Sequence, residues 1–164
     1  MDQWSKLHSE LQTELSKEIT LRQDILGNMS QQEYLLLTGN NDLKEALYIE
    51  CKKLVHQLKG LLKIRSTLTR KVFDHLPKNI LGNKLDEVLD PLVDAEGETL
   101  MLYKSVQELT KKIHQQKLRN KTLQEMIVKN GPLQINNEAI HSEPTQNKQG
   151  KKLPLITIDY PKSD

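Results

Sequence analysis

Apolar residues recur in steps of three and four from the start of the chain. Trp4, Leu7, Leu11, Leu15 and Ile19 fall on one face of a helix. After Leu21 the pattern blurs, because Gly27 and Asn28 interrupt Ile25, Leu26 and Met29. The spacing predicts an N-terminal amphipathic helical segment over residues 1–38. A kink or break is expected at Gly27, since glycine inside a helix costs about 1 kcal/mol relative to alanine. Leu35, Leu36 and Leu37 add an apolar cluster, and Gly39 supplies a left-handed C-terminal cap.

The next period runs over residues 42–76. Asp42 is placed to cap the helix, with Glu45 three residues on in a capping-box arrangement, and Pro77 stops it. The seam has Leu47, Leu54, Leu61 and Leu68 at d and Cys51, Leu58, Arg65 and Val72 at a, widened at e by Val55, Leu62 and Leu76. So wide a stripe suits a bundle of three or more helices better than a two-stranded zipper. A linker follows over 77–91, with a turn at Gly82-Asn83, and then a third helix over 92–130 that ends at Asn130-Gly131-Pro132. In this helix Leu102, Leu109, Gln116 and Leu123 take the d positions, and Val106, Ile113, Asn120 and Ile127 the a positions. Acidic residues near its start and basic ones near its end complement the helix macrodipole.

The fold class expected is all-α: an elongated coiled coil or helical hairpin of long amphipathic helices, with a disordered tail over 131–164. The hairpin is expected between the second and third helices, completed by other chains. Inside the tail, the short segment 153–161 is apolar and β-prone. Leu155, Ile156, Ile158 and Tyr160 stand in it as a candidate edge strand between Pro154 and Pro161, against the plainer reading of an idle terminus.

Composition narrows the function. Only 4% of the 164 residues are aromatic and 36% hydrophobic, which disfavours a layered α/β enzyme core. The five histidines are scattered, with none at i+3 or i+4 from another, so neither a metal nor a cofactor is expected. The single cysteine, Cys51, sits on the seam, where a small buried hydrophobe is the preferred reading over a nucleophile. No Gly-rich phosphate loop is present, and the chain is expected not to be an enzyme. No apolar run approaches the length of a membrane span, and no signal peptide opens the chain, which predicts a soluble intracellular protein.

Charge is uneven. Residues 1–41 carry a net −3 and residues 42–76 a net +4, which would suit an acidic first helix lying beside a basic second one. Lys52, Lys53, Lys59, Lys63, Arg65, Arg70 and Lys71 flank a leucine seam with Phe73 as the nearby ring, so a solvated face is preferred to nucleic-acid contact. The amides Gln116 and Asn120 occupy adjacent seam positions. A buried amide finds its partner in one alignment only, so this layer would fix register and partner identity; the alternative is a stretch left partly exposed.

Two short pieces resemble the centromere protein K family. Leu7-His8-Ser9-Glu10-Leu11 is similar to a coiled-coil segment there. Ser66-Thr67-Leu68, followed by Phe73-Asp74-His75-Leu76-Pro77, is similar to a helix end in that family. The resemblance implies a nuclear scaffold subunit of a centromere or kinetochore complex, with a role in the cell cycle and no catalytic residues. Taken together, the chain is expected to be a structural subunit that binds partner helices, in a homo- or hetero-oligomeric coiled coil, through Leu47, Leu54, Leu58, Leu61, Leu68, Val72, Leu102, Val106, Leu109, Ile113, Asn120, Leu123 and Ile127. The alternatives are an adaptor presenting the tail motif and a coiled-coil trafficking or cytoskeletal tether.

Overall fold

The computed structural model describes residues 3–75 and 97–131. Among them stand three helices: α1 (Gln3–Thr38), α2 (Lys44–Asp74) and α3 (Glu98–Asn130). The longest, 36 residues, extends about 54 Å at 1.5 Å per residue. The expected linker and the tail, with Leu155, Ile156, Ile158 and Tyr160, lie outside the described residues.

The described residues are all-α, built from long amphipathic helices as the periodicity predicts. α2 runs antiparallel to α1: Asn28 meets Leu47 and Glu50 near one end, and the Trp4 and His75 rings lie 6.2 Å apart at the other. α3 runs parallel to α1 in a constant register. His8 pairs with Thr99 and Met29 with Asn120, both at a sequence offset of 91. The bundle is therefore up-down-up, and α2 and α3 are antiparallel as the hairpin expectation requires. Within the chain, both α2 and α3 pack closely on α1. They meet each other through long side chains, with Gln124 Nε2 donating to the Tyr48 hydroxyl and Arg65 lying 5.9 Å from the centre of the Tyr103 ring.

Three local expectations are revised. α1 continues unbroken through Gly27, which is exposed and has open space where a Cβ would be. Packing on both sides of Gly27, at Ile25, Asn28 and Met29, holds the helix across it. Asp42 does not cap α2: Leu43 takes that position with no side-chain cap, and the turn is held by the Asp42 amide donating to Asn40 Oδ1 at 3.2 Å. α3 starts at Glu98 after Gly97, whose φ of +72° belongs to the left-handed region open to glycine. At the other end of α3, Gly131 (φ +81°) returns its amide to the Ile127 carbonyl at 2.9 Å.

The core has two apolar clusters, each drawing on all three helices. One holds Leu7, Leu11, Leu15, Leu68, Val72, Tyr103 and Val106. The other holds Leu21, Ile25, Met29, Cys51, Val55, Leu58 and Ile113. Between them lies a buried layer of charge. Glu18 Oε1 accepts from Arg22 Nε at 2.9 Å and from Arg22 Nη2 at 2.7 Å. Glu18 Oε2 lies 2.8 Å from Arg65 Nε, an ion-pair contact too oblique for a hydrogen bond. A buried carboxylate is tolerated because cations surround it, not because the pair is strongly stabilising.

Candidate partner-binding surface

The positions expected to bind partners divide by heptad position. The a positions turn inward: Leu58, Val72, Val106, Ile113 and Asn120 are buried in the chain's own core, together with Cys51 and Arg65. Leu68 is the one leucine d position that joins them. Leu47, Leu54, Leu61, Leu102, Leu109 and Leu123 are half-buried, as is Ile127 at the last a position. The distinction is geometric. With α1 lying against both helices, the a row points at its axis and the d row lies along its flanks.

The amide layer is realised inside the chain. Asn120 Nδ2 donates to the Met29 carbonyl at 2.8 Å, Gln116 Nε2 donates to Asn120 Oδ1 at 2.9 Å, and the same Gln116 amide donates to Glu33 Oε2. On α1 a second set continues it, with Gln32 Nε2 donating to Asn28 Oδ1 at 2.6 Å and Asn28 Nδ2 to the Leu47 carbonyl at 3.1 Å. These bonds fix how α1 is phased against α3 and α2. A one-turn slip of either helix would leave several buried amides unmatched.

The outer surface retains apolar side chains that the core does not use. Leu47, Leu109, Leu123 and Ile127 are half-buried yet outside both clusters. Ile64, Leu118 and Met101 are 49, 51 and 69% exposed. At the end of the bundle carrying the α1–α2 turn, Tyr34, Leu43, Met126 and Val128 are exposed as well. Along one flank of α1 runs an apolar groove of about 610 Å³, walled by Lys17, Thr20, Leu21 and Asp24 of α1 and Gln57, Gly60, Leu61 and Ile64 of α2. The opposite flank, between α1 and α3, is more polar; Ser9, Gln12, Thr13 and Ser16 face Glu98 and Leu102. Two rows of leucines thus border the exposed face of α1, one from α2 (Leu47, Leu54, Leu61) and one from α3 (Leu102, Leu109, Leu123).

Groups that could carry chemistry are sparse. Burial pushes the Cys51 thiol above its usual range, with a hydrogen bond to Gln32 opposing the shift. Tyr48 is raised for the same leading reason, and Lys44 is lowered by burial. A thiol held protonated in an apolar cluster is a packing element. Among the described residues no group of His, Cys, Asp and Glu could hold a metal ion. No helix among them is long and apolar enough to cross a membrane.

The sequence pattern missed the second half of α1. Leu11, Leu15, Glu18, Arg22, Ile25, Met29, Gln32 and Leu36 alternate steps of four and three, and every one is buried. The signal was available once polar residues were admitted to the seam, since Glu18 and Arg22 stand at i, i+4 in phase with the leucines before them. Comparison of the chain with protein families, with curated proteins and with solved structures finds no match.

Proposed function

We propose that this chain is a non-enzymatic structural subunit of a multi-protein helical assembly. It enters that assembly as a folded three-helix bundle and receives partner helices on the leucine rows that border α1. One observation carries the reading: the core is already closed by α1, yet leucines and isoleucines remain on the outside in heptad spacing. Because these leucines are already half-buried, covering each one contributes about 1 kcal/mol, and a row of three or four adds several kcal/mol to a helix–helix contact. The internal core residues Leu58, Val72, Val106, Ile113 and Asn120 act one step back, by fixing the angle at which the outer leucines are shown. The resemblance to the centromere protein K family supports a nuclear site for the assembly, at the centromere or kinetochore.

Affinity purification of the full chain from cells, followed by mass spectrometry, tests the proposal. Helical centromere or spindle proteins are the expected company. Vesicle or cytoskeletal proteins would replace the centromeric setting with a tethering one, and an empty pull-down under gentle washing would refute the subunit role. Truncation after Gly131 is expected to leave the captured set unchanged. If that truncation abolished capture, the chain would be an adaptor working through its tail.

A further inference from the structure

Resting on the reading above, we infer that the groove between α1 and α2 is a self-association site, filled by the same groove of a second copy of this chain. Its walls are two helical strips of matching spacing, residues 17, 20, 21 and 24 of α1 and residues 57, 60, 61 and 64 of α2. The contacts that bracket them, Glu18 with Arg65 and Asn28 with Glu50, set the two midpoints at one height along the bundle. A single two-fold axis, lying in the face and across the helices, therefore reverses both strips about a common centre.

That operation pairs unlike groups. Lys17 is carried to Asp24 of the second copy, and Asp24 to its Lys17. Ile64 is carried onto Gln57, and the open position at Gly60 receives Leu61. Further along α2, Glu50 and Lys71 stand equally far from the same centre and are also exchanged. No position in either strip meets a like charge.

The chain supplies two further reasons for this occupant. Ile64 is 49% exposed at one end of the α2 strip, with Leu61 half-buried near its centre. Gly60 sits inside α2, where glycine costs about 1 kcal/mol relative to alanine, and a Cβ there would meet nothing within 4 Å. Nothing inside the bundle needs that glycine, whereas a second helix lying over it gains a closer approach. Asp24 makes no ion pair among the described residues. Lys17 holds Glu14 only by an exposed i, i+3 bridge of 2.7 Å, weak enough to be exchanged for an intermolecular one.

Sedimentation equilibrium on the full chain tests the inference, with far-UV circular dichroism confirming that each variant is folded. The wild-type chain is expected to dimerise below about 100 μM. Lys17→Asp and Asp24→Lys, each alone, are expected to weaken the dimer about tenfold or more by setting like charges face to face. The double variant carrying both changes is expected to restore it. A monomeric wild type, or a double variant no tighter than the singles, overturns self-association. Partner capture then separates the two levels: if a monomeric chain still captures helical proteins and Ile64→Asp releases them, the groove belongs to a different chain and the subunit reading stands. If the monomer captures nothing, both fall.

Discussion

Replacing Glu18 by leucine is expected to destabilise the bundle more than any exposed charge change. Glu18 and Arg22 are fully buried and Arg65 is 8% exposed, so the carboxylate is the group that reconciles two guanidiniums with a surrounding of leucines. Removing one member of a buried ion pair costs about 3–5 kcal/mol, mostly the desolvation of the charge left behind. With a urea slope of about 2 kcal/mol per molar, the unfolding midpoint should fall by about 2 M. Replacing the whole layer, with Glu18→Leu, Arg22→Met and Arg65→Met together, takes the buried guanidiniums out along with the carboxylate and should recover most of the loss. The control is Glu108→Gln, which breaks a bridge to Lys111 whose side chains are 63 and 71% exposed. It should change stability by about 0.5 kcal/mol or less. Urea titrations followed at 222 nm measure all three. The reasoning fails if Glu18→Leu lies within about 1 kcal/mol of wild type, or if the triple variant is no more stable than the single one.

Other consequences follow from individual positions. Gly27→Ala should raise stability by about 0.5–1 kcal/mol, because the site is helical, exposed and roomy; a loss measured by the same titration would show that α1 bends there after all. Changing Gln116 and Asn120 together to leucine should raise the unfolding midpoint while adding a second set of amide resonances in NMR spectra, since the bonds that fix the α1–α3 register are gone. A single sharp set would mean that the apolar packing alone defines the register. Cys51 should react with a thiol reagent only at the rate of unfolding, even at pH 9, because burial both shields the thiol and raises its pKa. Rapid native labelling at that pH would place Cys51 outside the core.

Much of the architecture can be read from leucine spacing. The period of α2 and α3 reports which residues face inward, and Gly39 and Gly131 mark helix ends because glycine takes the positive φ found there cheaply. The role of α1 is harder to see. Its seam alternates Leu11 and Leu15 with Glu18 and Arg22, then Ile25 and Met29 with Gln32. A pattern weighted by hydrophobicity registers these polar residues as a break, whereas in three dimensions each is paired and stays in phase. The same limit explains the surface. Periodicity assigns a and d residues to one seam, but only the placement of α1 decides that Leu58 is sealed inside while Leu61, one turn on, lines an open groove. A substitution such as Leu58→Asp therefore tests folding, and partner binding must be tested at the rim.

The most direct measurement compares partner capture from cell extract by three forms of the chain: wild type, the outer-row variant Ile64→Asp with Leu109→Asp, and the basic-face variant Lys59→Glu with Lys63→Glu. Circular dichroism should show all three to be equally helical, since Ile64 is exposed, Leu109 lies outside both core clusters and both lysines face solvent. The account predicts that the outer-row variant loses its protein partners and the lysine variant keeps them. Retention by the outer-row variant with loss by the lysine variant would contradict it, and would make the basic face of α2 the working surface.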